Sequence, residues 1–231
     1  PNICLINNIE FDHADIFDNL DSIKKQFHHL IKIIPKDGKI IFFNHDKNAL
    51  DVVSQGCWSN IIEINGNSSD ANFDMSSSTV SFREDSVHIA DLPIYGSHNN
   101  LNAIAAIISS ASYGIKLIDA YNGLKEFNGV LRRLENKGTF KGVTILDDFA
   151  HHPTAIKSTI DAVKNNYIEK KVLNVIELGS NTMSGGYHLK ELISIDDLES
   201  DILWLDHKSI LVNNKDNVYN NHGDLIRAIS K

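Results

Sequence analysis

Apolar and polar positions in the first third of the chain follow two alternating periods. Short continuous apolar runs, typical of buried strands, are separated by stretches in which apolar residues recur every three or four positions, as on one face of a helix. This alternation predicts a parallel sheet with crossover helices. The predicted strands are Ile3–Ile6, Lys39–Phe43 and Ile61–Ile64, and the predicted helices are Ile16–Ile34 and Asn48–Ser54.

The pattern changes after the third strand. Residues 66–78 are rich in Ser, Asn and Asp and predict a loop. The segment Gly129–Arg133 has the character of a linker, so we place a domain boundary near Asn128. Between them lie a predicted antiparallel pair of strands, 79–83 and 86–90, and predicted helices that begin near Ser97 and Ile118 and end near Gly114 and Phe127.

An α/β pattern resumes beyond the linker. We therefore predict an α/β protein with two domains, residues 1–128 and 129–231. The predicted strands of the second domain are Val143–Leu146, which we expect to be buried, Val172–Leu178 and Ile202–Leu205, and its predicted helices are Thr154–Asn165, Leu189–Ile193 and Gly223–Ile229.

The composition excludes several classes of protein. The 231 residues are 42% hydrophobic, enough to bury a core, yet no apolar run reaches the length of a membrane span and no signal peptide opens the chain. The net charge of -8 argues against general binding of nucleic acid. The two cysteines suit a reducing cytosol, so we expect a cytoplasmic protein. Because the chain enters a strand directly after Pro1, we expect a fragment.

Ionisable residues are concentrated after the strand that is predicted to end before Asp147. Two carboxylates, Asp147 and Asp148, and two imidazoles, His151 and His152, precede Pro153, which suits the first turn of a helix. The carboxyl ends of strands are where open α/β sheets bind ligands, so this cluster predicts a site. The structural alternative is that Asp148 caps the turn and the histidines are solvated.

A second cluster, Asp12-His13-Ala14-Asp15, follows the first predicted strand. An imidazole beside two carboxylates can bind a divalent ion, with one carboxylate orienting the imidazole. The alternative is a helix cap in which Asp15 accepts backbone N–H bonds and His13 lies at the surface. The cluster lacks the histidine spacing of a structural zinc site.

The helix predicted near Ser97 begins with polar residues. Ser97 suits an N-cap, and Asn99 and Asn102 lie on one helix face because they are three residues apart. An amide offers a donor and an acceptor together, which suits a purine edge. Helix capping explains why a serine stands at position 97, but it does not explain the asparagine at position 102, Asn102.

Two further clusters have both a functional and a structural interpretation. Arg132 and Arg133 offer planar guanidinium groups for phosphate or carboxylate, or form a solvated salt bridge between domains. Ser180, Asn181 and Thr182 follow a predicted strand, either as part of a site or as an ordinary turn.

These clusters, taken in order, resemble the Mur ligases, which use ATP to make peptidoglycan precursors. The sequences of these clusters are most similar to those of family members that join UDP-N-acetylmuramate to the recycled tripeptide L-Ala-γ-D-Glu-meso-diaminopimelate. The matching segments are Asn7–Asp18, Gln26–Leu30, Gly96–Asn102, Arg132–Glu135, Asp147–Ile156 and Ser180–Met183.

The resemblance implies a fold, a reaction and cofactors. It implies part of a central ATPase domain followed by a Rossmann-like C-terminal α/β domain, in a bacterial cytoplasmic enzyme. ATP and Mg²⁺ would convert the lactyl carboxylate of UDP-N-acetylmuramate to an acyl phosphate, which the amine of the peptide attacks. ADP and phosphate are the by-products. Neither nucleic acid nor a membrane is implied as a partner, and the sequence does not indicate the oligomeric state.

The resemblance also implies a role for each matching residue. His13 would ligate a catalytic Mg²⁺, and Arg133 would reach the phosphates of ATP across the domain interface. Asn99 and Asn102 would meet the nucleotide, with Asn102 nearest the adenine, and Asp148 would contact the ribose. Closure of the two domains would assemble this site. The residues expected to face the substrates are His98, His151, His152, Ser180, Asn181 and Thr182.

The chain departs from the family pattern in places that matter. No Gly-x-x-x-x-Gly-Lys-Ser/Thr loop occurs in it, and the family's N-terminal UDP-binding domain and closing C-terminal strand are not seen. Gly179 stands where the family has an arginine before Ser180. We therefore expect that this polypeptide alone catalyses no ligation.

Three other interpretations stay open. The chain resembles the Mur ligases that add L-alanine, which share the Asp-His and His-His-Pro pieces. It also suits a remnant that binds nucleotide or a partner without catalysis. A metallohydrolase built on Asp148, His151 and His152 is the third.

Overall fold

A computed structural model describes residues 1–67, 69–90, 92–196, 201–205, 212–213 and 218–219. The chain forms two compact units, and both contain helices and strands, as the pattern predicts. Unit 1 comprises Pro1–Phe11, Asn19–Ile94 and His98–Asn128, and unit 2 comprises Asp12–Asp18, Tyr95–Ser97 and the chain from Gly129 onward.

Unit 1 is built around a parallel sheet. Its strands β1 (Ile3–Ile6), β2 (Lys39–Phe43) and β3 (Asn60–Ile64) lie in the order β1-β2-β3, with α1 (Leu20–Lys32) and α2 (Lys47–Ser54) as the crossovers. The β-α-β-α-β prediction is therefore confirmed. The central strand β2 is almost wholly buried, because it is covered on both faces, as parallel strands usually are.

The first helix begins later than the apolar pattern predicts. Asn19 and Ser22 form a capping box, in which the Asn19 side chain accepts the Ser22 N–H and the Ser22 hydroxyl bonds back to Asn19. The helix therefore starts at Leu20 rather than at Ile16. Residues 12–18 lie outside α1 and belong to unit 2.

The segment predicted as a loop at 66–78 contains a strand, so that part of the prediction is wrong. Strand β4 (Ala71–Asp74) pairs antiparallel with β5 (Thr79–Phe82), which pairs in turn with β6 (Asp85–His88). The small sheet packs its buried side chains against α3 (Ser97–Tyr113) and α4 (Leu117–Lys125). Members of this core include Ile41, Phe43, Ile64, Val80, Ile104, Ile107, Ile108 and Tyr121.

The part of unit 2 that begins at Gly129 starts with an antiparallel hairpin of β7 (Glu135–Phe140) and β8 (Val143–Asp147). The prediction of a buried strand here is wrong, because the side chains of Val143 and Ile145 are 63% and 46% exposed. The polar strand β7 is the partner of β8 within the described residues, so β8 is not covered on both faces as a strand inside a parallel sheet would be.

A small α/β layer completes the described part of unit 2. Helix α5 (Pro153–Asn166) begins with proline in its first turn, as predicted, and strand β9 (Leu173–Glu177) pairs parallel with β10 (Asp201–Leu205). In the sequence, helices α6 (Asn181–Ser184) and α7 (Leu189–Asp196) lie between these two strands. Their core contains Ile156, Ile160, Leu178, Met183, Leu192 and Ile195.

The end of the chain is described only in part. Strands β11 (Val212–Asn213) and β12 (Val218–Tyr219) pair antiparallel, and the helix predicted at Gly223–Ile229 lies outside the described residues. Among the helices that the structure describes, none combines the length and the apolar character needed to cross a bilayer.

Candidate functional site

The segment Asp12–Asp18 contacts the start of α6 inside unit 2. The Ala14 N–H donates to the Thr182 hydroxyl over 3.2 Å, and the Asn181 amide donates to a carboxylate oxygen of Asp15 over 2.9 Å. Asp15 therefore binds another side chain instead of capping α1, where Asn19 is the cap. Two predicted clusters that are far apart in sequence come together here.

Asp12 lies at the centre of this contact. Although burial raises its pKa, hydrogen bonds from the His13 N–H and the Thr182 hydroxyl, together with the charges of His13 and His152, lower the pKa of Asp12 below its ordinary value. The His13 N–H donates over 2.7 Å, and Nε2 of His151 lies 3.9 Å from the Asp12 carboxylate. Asp12 is therefore a carboxylate at neutral pH.

The His13 side chain is exposed at a tight turn. Its φ of 53° lies in the left-handed region, and its carbonyl accepts the N–H groups of Ile16 and Phe17. This turn keeps the imidazole outside the regular structure of α1. Within the described residues, no group of three or more His, Cys, Asp or Glu side chains is placed to hold a metal ion, so the metallohydrolase interpretation has no ligand set there.

Asp148 joins the strand end to the linker. One carboxylate oxygen accepts the Leu134 N–H over 2.8 Å, and the other accepts the Ala150 N–H over 2.7 Å. The capping interpretation of this residue is therefore confirmed. Each oxygen still has a second lone pair, so Asp148 can also accept a hydroxyl of a ligand.

The two neighbouring arginines differ sharply in their surroundings. The Arg132 guanidinium lies 4.4 Å from the centre of the Phe149 ring, and its Nε is 3.8 Å from a carboxylate oxygen of Asp147. Arg133 is exposed, and in the described part of the chain its guanidinium has neither an ion pair nor a hydrogen bond. Arg133 is therefore the arginine that is open to an anion.

The paired histidines have structural contacts. Nδ1 of His151 is 2.9 Å from the Phe149 carbonyl oxygen. His152 is the N-cap of α5, where its Nδ1 accepts the Thr154 N–H over 3.3 Å, and its ring packs edge-on against that of His188 at 4.6 Å between centroids. The two rings are therefore held in place by the start of α5.

Ser180 links the same region to α6. Its hydroxyl accepts the Met183 N–H as the N-cap of that helix and donates to the His151 carbonyl over 3.2 Å. Gly179, just before it, has no described atom within 4 Å of the position that a Cβ would take. A Cβ therefore has open space at the position where the resemblance leads us to expect arginine.

The predicted asparagine pair lies in unit 1 at the start of α3, beside the half-buried His98. The Asn102 amide nitrogen donates to Asn99 over 3.3 Å, and its oxygen accepts from the Asn7 amide over 2.8 Å. The contact confirms that Asn99 and Asn102 share a helix face. Asn7 was missed as a site residue, although it follows the end of β1 and opens the matching segment Asn7–Asp18.

The predicted site residues are divided between the two units. Unit 1 holds the asparagines and His98, and unit 2 holds the rest. The members in unit 2 are His13, Arg133, Asp148, His151, His152, Ser180, Asn181 and Thr182.

Comparison with known families yields two consecutive matches. Residues 1–110 match the Mur ligase middle domain, and residues 132–194 match the Mur ligase glutamate ligase domain. The two matches cover the strand-end clusters described above.

Individual relatives point in the same direction. UDP-N-acetylmuramate–L-alanyl-γ-D-glutamyl-meso-2,6-diaminoheptandioate ligase of Escherichia coli is 39% identical over 191 residues, which are 80% of this chain and 42% of that protein. UDP-N-acetylmuramate–L-alanine ligase of Clostridium acetobutylicum is 36% identical over 189 residues, 77% of this chain and 40% of that protein.

A solved structure also resembles the chain. The murein peptide ligase of Psychrobacter arcticus superposes with a TM-score of 0.65 and 34% identity, over 88% of this chain and 43% of that one. The chain therefore spans less than half the length of the curated relatives that it matches.

Proposed function

Because this chain belongs to the Mur ligase family, we propose that the protein is an ATP-dependent ligase that forms an amide bond. Its substrates are UDP-N-acetylmuramate and the tripeptide L-Ala-γ-D-Glu-meso-diaminopimelate. The observation that carries this choice is the 39% identity to the Escherichia coli ligase named for these substrates. A cytoplasmic location in a bacterium, within peptidoglycan recycling, follows from the same proposal.

The reaction needs ATP because a carboxylate is a poor acyl donor. The γ-phosphoryl group moves to the lactyl carboxylate and gives an acyl phosphate and ADP. The α-amine of the peptide then attacks the acyl carbon, phosphate leaves, and the amine loses a proton. Catalysis of such steps consists mostly of positioning and of neutralising charge.

We assign the nucleotide contacts to side chains that still have binding capacity. Asn102 keeps one N–H and one lone pair free of described contacts, which together suit the edge of adenine. Asp148 keeps lone pairs for the ribose hydroxyls. Arg133, exposed and without an anionic partner in the described residues, offers its charge to the phosphates.

Mur ligases in general use Mg²⁺, and the residues here fit a limited role in holding it. Mg²⁺ prefers oxygen ligands and keeps several waters, so phosphate oxygens would complete its shell and the exposed His13 would supply one protein contact. The ion offsets phosphate charge when it is bound. Asp12, held as a carboxylate, keeps a negative charge next to His13.

We assign the substrate side to side chains around the starts of α3, α5 and α6. The three residues Ser180, Asn181 and Thr182 also hold local structure, so their contacts with substrate would be made by atoms that remain open. The full set is His98, His151, His152, Ser180, Asn181 and Thr182.

A substrate panel tests this function. The protein encoded by the complete gene is given ATP, Mg²⁺ and UDP-N-acetylmuramate with either the tripeptide or L-alanine, and phosphate release and the conjugate are measured. We expect kcat/KM to be higher for the tripeptide. A higher value for L-alanine would support the second candidate, which the 36% identical Clostridium relative favours.

A binding experiment accompanies the panel. Calorimetry with Mg²⁺–ATP should show binding that weakens in Asn102→Ala and Asp148→Ala. Binding of nucleotide with neither conjugate formed would contradict the proposed ligase and favour a module that only binds nucleotide.

A further inference from the structure

We propose that Arg132 and Asp148 form a clamp that presents the Arg133 guanidinium to the triphosphate of ATP. In this clamp Arg132 is a positioning residue whose effect on the reaction passes through Arg133. The inference rests on the proposed function, and it gives a role to an arginine that the resemblance leaves without one.

The backbone is fixed on both sides of Arg133. Before it, the Arg132 carbonyl oxygen accepts the Phe149 N–H over 2.8 Å. After it, the Leu134 N–H donates to an Asp148 carboxylate oxygen over 2.8 Å. Arg133 therefore lies at a point of the linker whose two neighbours are attached to consecutive residues after β8.

The Arg132 side chain strengthens the first attachment. Its guanidinium lies 4.4 Å from the centre of the Phe149 ring, a distance at which the cation is attracted to the ring face. Its Nε is 3.8 Å from an Asp147 carboxylate oxygen, and its backbone N–H donates to Glu135 over 2.9 Å. Arg132 therefore has contacts through both its side chain and its backbone N–H.

The backbone on both sides of Arg133 adopts a conformation that is unfavourable without stabilising contacts. The φ angles of Arg132 and Leu134 are 58° and 48°, in the left-handed region that residues with a Cβ adopt only when neighbouring groups stabilise it. If the clamp is released, both residues should relax to ordinary conformations. Arg133 would then be displaced from the position that the clamp imposes.

Placement of Arg133 matters because a preformed charge costs no reorganisation when the phosphoryl group moves. The guanidinium of Arg133 is exposed, so packing does not orient it. The backbone clamp therefore sets the point and the direction in which the Arg133 side chain leaves the backbone.

Hydrogen exchange tests the clamp itself and needs no enzymatic activity. We expect the Leu134 amide to exchange at least about tenfold faster in Asp148→Ala, and the Phe149 amide several-fold faster in Arg132→Gln, because each amide loses its partner or the support of its partner. Arg83→Gln is the matched control. Arg83 also has a positive φ, of 57°, and lies over the ring of Phe82, at 5.2 Å, but it is far from the linker in sequence and belongs to unit 1.

A double-mutant cycle tests the route of the effect. Arg132→Gln should lower kcat about tenfold in the parent protein and less than about twofold in Arg133→Ala, because its effect requires Arg133. Arg132→Lys should recover part of the loss, and Arg83→Gln should leave kcat unchanged. Asp148 is also assigned to the ribose hydroxyls, which 2′,3′-dideoxy-ATP lacks. With this nucleotide, Asp148→Ala should still lower kcat, because the clamp is lost while no ribose contact can be lost.

Two results would overturn the inference. The first is that the Arg132 and Arg133 variants lower kcat independently, so that their effects add. The second is that the variants leave the hydrogen-exchange rates of the Leu134 and Phe149 amides unchanged. If the parent protein ligates nothing, the proposed function fails, while the exchange rates still decide whether the clamp exists.

Discussion

Side-chain amides at the end of β1 and the start of α3 orient one another. Asn102 could point its amide in either of two ways, which differ in where the donor and the acceptor lie. Because the Asn7 amide nitrogen donates to the Asn102 oxygen, one of these orientations is selected. Asn7 thereby influences the proposed contact between Asn102 and the nucleotide, although Asn7 does not make that contact itself.

We expect Asn7→Ala to raise KM for ATP about two- to tenfold and to change kcat less, because one hydrogen bond that orients Asn102 contributes about 0.5–1.5 kcal/mol. Steady-state kinetics of the complete protein measure this change. Asn72→Ala is the control, since Asn72, in β4 of the small sheet, donates to the Ser69 carbonyl just before that strand. Equal KM values for the Asn7 variant and the parent would contradict the prediction.

The open space at Gly179 allows a second test at the residue scale. We expect Gly179→Arg to be accommodated and to lower KM for the tripeptide several-fold, because a guanidinium there can pair with a substrate carboxylate. Gly179→Ala adds a side chain without a charge, so it distinguishes the effect of size from the effect of charge, and it should leave KM for the tripeptide unchanged. An unchanged KM in Gly179→Arg would show that this position does not face the acceptor.

At the scale of elements, α3 is the helix that contributes many of the buried residues in the core of unit 1. Its buried residues come from several sides of the helix, so it packs against both the parallel sheet and the small antiparallel one. Such a helix has little exposed surface on which a sequence change would be neutral.

We expect Ile104→Ala to lower the free energy of unfolding by about 2–5 kcal/mol, because it leaves a cavity beside a fully buried helix face. Ile118 in α4 is 47% exposed, and Ile118→Ala should cost much less. Urea unfolding followed by circular dichroism compares the two variants. Equal costs would contradict the assigned core.

The turn between β4 and β5 gives a pH prediction. Hydrogen bonds from the Ser76 and Ser77 hydroxyls and the Ser76 N–H lower the pKa of Asp74 to about 2. A lowered pKa stabilises the folded state above the ordinary value of 3.8, and this contribution is lost as the pH falls from 3.8 to about 2. NMR titration should show that midpoint, and Asp74→Asn should remove the dependence.

How far the sequence predicts these elements depends on their local signals. Strands β1, β2 and β3 are apolar runs and were found almost to the residue. Strand β7 was missed because Glu135–Phe140 is largely polar, and pairing with β8 makes it a strand. The site shows the same limit: Arg132 and Arg133 are identical in type, and the contacts that distinguish them come from Asp147 and Phe149, at the end of β8 and beyond it.

At the scale of the whole molecule, ligand binding should be visible as stability. A ligand that binds only the folded state at about 100 times its Kd stabilises it by about 2.7 kcal/mol. We expect saturating Mg²⁺–ATP to raise Tm of the complete protein and EDTA to reverse most of the rise. Differential scanning calorimetry measures both changes.

Variants of histidine make that experiment specific. His13→Ala should require several-fold more Mg²⁺ for the same rise in Tm, because it loses the proposed protein contact to the ion. His29→Ala, which removes another exposed imidazole from the end of α1, is the control. Identical Mg²⁺ requirements for the parent and His13→Ala would exclude His13 as a ligand.

The inclusion of Asp12–Asp18 in unit 2 affects how chimeras with relatives should be made. An exchange that begins at residue 129 would transplant Asn181 and Thr182 without Asp15 and Ala14, to which they are bonded. Both sides of these pairs must come from one parent. An exchange of unit 2 should therefore include two separate stretches of sequence, Asp12–Asp18 and the chain from residue 129 onward. In a hybrid with a single crossover, the two partners of each of these hydrogen bonds would come from different parents.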